Sequence, residues 1–200
     1  MNLWDLKSGW YSAIRRVPGF RRILDSEIES LKRLLSEFEI GIDRVVDIGT
    51  GAGDAWMLYP QIARGIGVDA SFNMLVKTRS RFPGLILIVA DVRALPFRKD
   101  AIPFLSMIGV AEYISDKMQL LSECARVVPI HGHLIMTLPA PGVFTSLRNV
   151  FGEKLFSISQ AEWETCLQRT GWKVRGFRKT LLQRQYLLQR CNEKVKTHDN

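Results

Sequence analysis

The stretch "VVDIGTGAGD", from Val45 to Asp54, decides the fold of this 200-residue chain. An apolar run leads into Asp47, glycines then alternate with small residues at positions 49, 51 and 53, and a second carboxylate follows at Asp54. Glycines directly after an apolar strand allow a tight turn, and they let a ligand approach the backbone without meeting a Cβ atom. The stretch therefore predicts a first strand that ends in a ligand-binding loop, with a helix beginning near Asp54.

Short apolar runs recur along the rest of the chain and alternate with segments of helical pattern. They lie at 44–48, 65–68, 85–90, 104–108 and 133–138. Short buried strands that alternate with helices predict a parallel, doubly wound α/β sheet, in which ligands bind at the carboxyl ends of the strands. Residues 19–38 place apolar side chains on one helical stripe and predict an amphipathic helix, and a shorter helix is expected to precede it and end at Pro18.

Composition limits the class of protein. With 200 residues and 46% hydrophobic content, one well-buried domain is expected. The run at 85–90 is far shorter than the roughly 20 residues that cross a bilayer, and Asp5 stands where a signal peptide is apolar. Three widely spaced cysteines fit reduced thiols rather than disulfides or a metal site. A cytoplasmic protein without a bound metal is therefore expected.

The net charge of +8 is concentrated in the C-terminal part of the chain. Residues 141–200 contain eleven basic and five acidic side chains. Such an excess can meet an anionic membrane surface, nucleic acid or an acidic substrate, and a basic face that is only solvated is the alternative.

The spacing of glycines and acids distinguishes between two classes of ligand. A dinucleotide site uses G-x-G-x-x-G and rests a pyrophosphate on the helix N-terminus, but Asp54 stands at that third position. Like charges 4 Å apart repel by about 1 kcal/mol in water and by more near a buried site. The loop therefore favours a cationic ligand without phosphate, and S-adenosylmethionine is such a ligand. Asp69 can accept hydrogen bonds from its ribose and Asp91 from its adenine, or both acids only cap the following helices.

From about Arg44 to Pro139 the chain resembles the class I S-adenosylmethionine-dependent methyltransferases, and in particular the branch of ubiquinone/menaquinone biosynthesis methyltransferases. The resemblance implies a doubly wound, mostly parallel, seven-stranded Rossmann-like sheet with N-terminal helices in a single domain. Within residues 1–200 we expect four parts, namely a helical cap at 1–40, a cofactor-binding core at 41–140, a lid-like insert at 141–158, and a C-terminal helix and strands at 159–200.

The resemblance also assigns roles to residues at the strand ends. It implies that Asp47 and the loop from Gly49 to Gly53 hold the methionine part, Asp69 the ribose, and Asp91 with the Val92 backbone the adenine. The stretch "IGVAEYISD", residues 108–116, resembles the segment that borders the methyl group and the acceptor. The cofactor-binding candidates are Asp47, Gly49, Thr50, Gly51, Gly53, Asp69, Ala70, Asp91, Val92 and Ile108.

Three positions depart from the pattern of the family. Pro103 stands where the family has Asp, and residues 129–132 read Pro-Ile-His-Gly instead of a Pro-Gly-Gly turn. Tyr113 stands where relatives often carry His, so the sequence assigns no general base. Tyr113 is a candidate contact of the acceptor or a packed aromatic, and His131 and His133 are interpreted as structural.

The resemblance implies that the acceptor pocket is built from the N-terminal helices and the insert after the fifth strand, and the aromatic and apolar residues of both favour a hydrophobic small-molecule acceptor, such as a quinone precursor or a lipid. They include Trp4, Trp10 and Tyr11 at one end and Phe144 and Phe151 in the insert. The insert also resembles an interfacial segment that docks on anionic lipid, or it only covers the sheet. The alternatives to a small-molecule methyltransferase are a non-catalytic S-adenosylmethionine-binding protein and a nucleic-acid methyltransferase, which "MIGVAEY" in place of an "NPPY"-type motif disfavours. The oligomeric state is left open.

Overall fold

The computed structural model describes residues 18–38, 40–62, 65–141 and 155–192. The predicted first helix, with Trp4, Trp10 and Tyr11, lies outside these ranges. So do Phe144 and Phe151 and most of the predicted lid-like insert, and the division of the chain into four parts stays a prediction.

Seven strands form one sheet, in the order β3-β2-β1-β4-β5-β7-β6. All neighbouring strands from β3 to β5 are parallel, while β7 is antiparallel to both β5 and β6. The first five strands match the five apolar runs to within two residues at each end, which confirms the doubly wound, mostly parallel fold. Their bounds are β1 Val46–Ile48, β2 Ile66–Asp69, β3 Ile86–Val89, β4 Phe104–Met107, β5 His133–Pro139, β6 Trp172–Lys179 and β7 Gln183–Arg190.

Four α-helices and two short 3-10 helices connect or cover the strands within the described ranges. They are α1 Pro18–Ser36, α2 Phe72–Arg81, α3 Lys117–Val127 and α4 Gln160–Thr170, with the 3-10 helices η1 Asp54–Leu58 and η2 Ala111–Tyr113. Side-chain caps fix where three α-helices begin, because Ser71, Asp116 and Ser159 each accept a hydrogen bond from a backbone N–H in the first turn. In that part of the chain, no helix is both long and apolar enough to cross a membrane.

The amphipathic helix predicted at 19–38 is α1, and it packs on the sheet as its apolar stripe requires. Leu31 and Leu34 are buried in a cluster with three residues of the sheet. These are Val45 directly before β1, Ile135 of β5 and Leu187 of β7. Glu27, also buried, ties the helix to the last hairpin, because its carboxylate accepts hydrogen bonds from the Leu182 N–H at 3.0 Å and the Gln185 amide at 3.2 Å. Helix α1 is thus fixed against the sheet and the β6–β7 hairpin.

The helix expected near Asp54 is present, but it is a five-residue 3-10 helix. The chain leaves the helical conformation at Tyr59, with φ −127° and ψ 56°. Tyr59 precedes Pro60, and the proline ring disfavours the α conformation of the residue before it. The glycine loop is therefore followed by one short turn instead of a full helix.

The turn before β5 is the one where the chain departs from the Pro-Gly-Gly pattern. His131 adopts the left-handed region, with φ 67°, and its N–H donates to the carbonyl of Arg190 at 2.9 Å. The turn lies at the amino end of β5, and neither His131 nor His133 is among the cavity-lining residues described below.

Candidate cofactor and acceptor site

The three glycines of the loop after β1 all adopt positive φ. The values are 67° at Gly49, 55° at Gly51 and 87° at Gly53, a region that residues with a side chain rarely occupy. At Gly49 a Cβ atom would also lie 2.1 Å from Cγ2 of Val110. The alternation of glycines in the sequence is therefore a requirement of the backbone.

Hydrogen bonds from the protein hold this loop on several sides. The Thr50 N–H donates to the Val68 carbonyl at 3.0 Å, and the Gly51 N–H donates to Asp69 Oδ2 at 2.8 Å. The side chain of Thr50 accepts from the indole N–H of Trp56 at 2.8 Å. The conformation of the loop is thus set by groups of the chain itself.

Asp69 ends β2 and faces the loop. Its two oxygens accept from two backbone amides, Gly51 through Oδ2 and Ser71 through Oδ1, each at 2.8 Å. The N-cap of α2 is Ser71, whose hydroxyl accepts from the Met74 N–H at 3.2 Å. The interpretation of Asp69 as only a helix cap is therefore wrong, because the following helix is capped by another residue.

Asp91 follows β3 and is held by a side chain instead of by backbone groups of another segment. Arg93 donates from Nη2 to Oδ2 at 2.5 Å and from Nε to Oδ1 at 2.9 Å, and its N–H donates to Oδ1 at 2.8 Å. These hydrogen bonds from Arg93 lower the pKa of Asp91. No helix begins between residues 91 and 103, all of them described, so Asp91 is not a helix cap either.

Asp47 lies in β1 beneath the glycine loop and is only 1% exposed. Its Oδ1 accepts from the Ser106 hydroxyl at 2.7 Å, while Oδ2 has no hydrogen-bond partner among the described residues. Burial raises the pKa of Asp47 to about 7. Asp47 is not among the cavity-lining residues, so its predicted contact with the cofactor stays a prediction.

A cavity of about 660 Å³ opens at the carboxyl ends of β1, β2, β3 and β4, on both sides of the point where strand order reverses. Eight of the ten predicted cofactor residues line it, and Asp47 and Gly53 do not. The eight are Gly49, Thr50, Gly51, Asp69, Ala70, Asp91, Val92 and Ile108. Tyr113, half-buried at the end of η2, also borders the cavity.

Several residues that line the cavity were not predicted to do so. Leu24 and Ile28 of α1, Arg81 of α2 and Gln183 of β7 contribute to its walls. Ile28 belongs to the predicted apolar stripe of α1, but helical periodicity does not distinguish a side chain that faces a ligand from one that faces the core. Arg81 and Gln183 carry no signal in the sequence, because only the fold brings them to the loop.

Comparisons with known proteins agree with this arrangement. The family model described as "Methyltransferase domain" matches residues 46–136. A demethylmenaquinone methyltransferase from Thermotoga maritima is 27% identical over 140 residues, which cover 68% of this chain and 59% of that protein. The chain thus spans less than two thirds of the length of that curated relative, and the same holds for a ubiquinone/menaquinone biosynthesis C-methyltransferase from Campylobacter jejuni, of which 57% is covered at 24% identity.

Solved structures share the fold. A chain of the complex between the Haloferax volcanii Trm112 methyltransferase activator and a methyltransferase superposes with a TM-score of 0.70 at 22% identity, over 89% of this chain and 80% of that one. The geranyl diphosphate C-methyltransferase from Streptomyces coelicolor, solved with S-adenosyl-L-homocysteine, also gives 0.70, at 16% identity over 86% and 82% of the two chains. Residues 46–136 thus match a methyltransferase domain, the described chain has the fold of the solved methyltransferases, and both findings support S-adenosylmethionine as the cofactor.

Proposed function

We propose that the chain transfers the methyl group of S-adenosylmethionine to a small, apolar acceptor. One observation carries the proposal: a single cavity is bordered both by the predicted cofactor residues and by apolar side chains of α1, among them Leu24, Ile28 and Leu31. A cofactor on the strand ends would thus share its cavity with an acceptor held against α1.

In this proposal Asp69 binds the ribose. A carboxylate oxygen accepts more than one hydrogen bond, so Asp69 can receive ribose hydroxyls while it keeps the Gly51 and Ser71 amides. The loop from Gly49 to Gly53 receives the methionine part, and Asp91 with Val92 receives the adenine. Arg93 must then share the Asp91 carboxylate or move, which its 56% side-chain exposure allows.

Methyl transfer from a sulfonium is a substitution in which the bond from carbon to sulfur breaks as the bond to the acceptor forms. The sulfonium becomes a neutral thioether, and any proton on the acceptor atom leaves to solvent. Positioning and exclusion of water supply much of the rate of such a step. Ile108, directly after β4, and Tyr113, at the end of η2, also border the cavity. We assign Tyr113 to contact with the acceptor and to no acid–base role.

The acceptor class we favour is a quinone precursor. Leu24, Ile28 and Leu31 of α1 support a hydrophobic acceptor, and the charged residues Arg21, Asp25 and Glu27 of the same helix line the cavity beside them. The relative from Thermotoga maritima is named a demethylmenaquinone methyltransferase. A short-chain demethylmenaquinone analogue is therefore the first acceptor to test.

The test combines binding and turnover. Calorimetry should detect S-adenosylhomocysteine binding and no NAD binding, because Asp54 stands where a pyrophosphate would rest. Mass spectrometry of the analogue incubated with S-adenosylmethionine should then show one added methyl group. Tight binding of NAD would overturn the site, and cofactor binding without methylation of any apolar acceptor would favour the non-catalytic alternative.

We also propose that the basic C-terminal part contacts an anionic lipid surface. On the edge strand β6, Lys173 and Arg175 are exposed beside Val174 and Phe177, which are 40% and 49% exposed. Charged residues on an edge strand also prevent pairing with other chains, so a measurement must distinguish lipid binding from this protective role. Sedimentation with phosphatidylserine vesicles should be strong at low salt and decrease with salt, and no binding at low salt would leave only the protective role.

A further inference from the structure

The carbonyl side of the glycine loop is held by helix α2. The Thr78 hydroxyl donates to the Gly51 carbonyl at 2.6 Å, across 27 residues of sequence. Arg81 Nη1 donates to the Ala52 carbonyl at 2.6 Å and pairs with Asp54 Oδ1 at 2.7 Å. Two side chains one turn apart on α2 thus reach two successive carbonyls of the loop.

Gly51 is therefore fixed from both directions. Its N–H donates to Asp69 and its carbonyl accepts from Thr78. Both partners come from one segment, because α2 begins at Phe72, three residues after Asp69. Helix α2 also packs directly under the loop, where a Cβ atom on Gly53 would lie 3.3 Å from Thr78 Cγ2.

We infer that Thr78 is a positioning residue, which sets cofactor affinity by holding the glycine loop in its binding conformation, whereas Arg81 holds the loop and also lines the cavity, where it can act on the cofactor directly. The inference rests on the proposed cofactor site. Thr78 is fully buried and does not line the cavity, so any effect it has on the cofactor passes through the loop.

The two residues should not contribute equally. Removing the Thr78 hydroxyl leaves the part-buried Gly51 carbonyl without its donor, which favours other loop conformations that expose the carbonyl to water. The apparent affinity is then the affinity of the binding conformation multiplied by the fraction of molecules that keep this conformation. The Arg81 side chain is 40% exposed, so water can replace its hydrogen bond to Ala52 at lower cost.

The experiment compares Thr78→Val, which keeps the shape of the side chain and removes its hydroxyl, with Thr78→Ser, which keeps the hydroxyl. We expect S-adenosylhomocysteine to bind Thr78→Val about tenfold more weakly, a loss in the range of one buried hydrogen bond, and Thr78→Ser within about twofold of the wild type. Arg81→Ala should weaken S-adenosylhomocysteine binding by more than Thr78→Ser and by less than Thr78→Val. Calorimetry is done well below the melting temperature of each variant, so that all of them are folded.

Leu75→Ala is the matched control, because Leu75 is buried on the same helix and has no polar side-chain group to offer the loop. It should lower the melting temperature and leave affinity nearly unchanged. Hydrogen exchange of a peptide covering residues 49–54, measured without cofactor, should be faster in Thr78→Val than in Thr78→Ser.

The outcomes separate the inference from the proposed function. If the wild type does not bind S-adenosylhomocysteine, the cofactor site itself is wrong. If the wild type binds and Thr78→Val binds equally well, or if Leu75→Ala weakens binding as much as Thr78→Val, the positioning role is wrong and the cofactor site stands.

Discussion

Asp69 ends β2 and Asp91 follows the neighbouring parallel strand β3, and the two acids look equivalent in the sequence, but their hydrogen-bond partners differ. Asp69 accepts from backbone amides of two segments, one of them the glycine loop. Asp91 is paired with Arg93, two residues further along the chain, and 43% of its side chain is exposed. Backbone donors cannot leave a carboxylate, whereas an exposed arginine can.

The difference indicates that the site has a rigid side and an adaptable side. The rigid side comprises the loop after β1, the end of β2 and helix α2, which are joined by hydrogen bonds. The adaptable side is the end of β3, where the Asp91–Arg93 pair lies on the surface. Substitutions that remove one of the hydrogen bonds joining the rigid side should therefore affect both stability and cofactor affinity, and those on the adaptable side should affect affinity alone and less strongly.

The largest effect is expected for Gly49→Ala. The new Cβ would lie 2.1 Å from Val110 Cγ2 at a residue with φ 67°, so both a clash and backbone strain oppose folding. Gly109→Ala is the control, because Gly109 has φ 71° but no atom within 4 Å of a Cβ. Gly109→Ala should lower the free energy of unfolding only by the strain of a left-handed alanine, about 1 to 2 kcal/mol. Gly49→Ala should lower it by several kcal/mol. Thermal melts that show equal losses would contradict a tightly packed loop.

A smaller effect should appear in the pH dependence of stability, through Asp47. Burial raises its pKa from 3.8 to about 7, so the folded protein holds a proton that the unfolded chain releases above about pH 4. The free energy of unfolding should therefore decrease between about pH 4 and 7 and then level off. The total decrease is at most about 1.4 kcal/mol for each unit of difference between the folded and unfolded pKa.

Asp47→Asn isolates this contribution, because the amide cannot ionise and its oxygen still accepts from Ser106. Melting temperatures of the variant and the wild type should converge near pH 4 and separate toward pH 8, with the variant more stable. Parallel pH profiles would show that Asp47 is ionised in the folded protein at neutral pH.

Asp69→Ala comes next. It removes the proposed ribose acceptor and the partner of the Gly51 amide, and S-adenosylhomocysteine affinity should decrease by about 1.5 to 3 kcal/mol, the range for hydrogen bonds to a charged group. Calorimetry gives the dissociation constant directly. An unchanged constant would remove Asp69 from the site and with it the rigid side as described.

The smallest effect is expected at the end of β3. Asp91→Ala should weaken S-adenosylhomocysteine binding by less than Asp69→Ala, about 1 kcal/mol or below, because both oxygens of the carboxylate already accept hydrogen bonds from Arg93. Arg93→Ala should leave affinity unchanged or raise it, since it frees Asp91 for the adenine. A large loss on Arg93→Ala would show that the arginine itself binds the cofactor.

The fold was predictable wherever a pattern is local. Alternation of apolar runs located β1 to β5 because each buried parallel strand is continuously apolar, and the helical stripe located α1. The bounds of β6 and β7 were not predicted. Strand β6, "WKVRGFRK", mixes charged and apolar side chains because it is an edge strand with most of its side chains exposed, and β7 contains the buried polar residues Arg184 and Gln185.

The site was predictable in its glycines and in its position at the strand ends, but not in its internal partners. Glycine spacing reports backbone conformation directly, and the three positive φ values match it. Nothing in the sequence connects Thr78 or Arg81 to the loop, because their contacts span 27 and 29 residues. The sequence also does not show that Arg93 pairs with Asp91, because ion pairs between exposed side chains follow no periodic pattern.

The insertion of β7 between β5 and β6 determines when this protein can finish folding. The strands and loops predicted to hold the cofactor are complete once residue 139 has been synthesised, but β5 keeps an open edge until residues 183–190 arrive. Leu134, Ile135 and Met136 of β5 are fully buried in the complete fold, so the unpaired strand is also apolar. During synthesis the nascent chain therefore exposes a surface that invites aggregation, and a chain truncated after β6 would retain every predicted cofactor residue and still be unable to close its sheet.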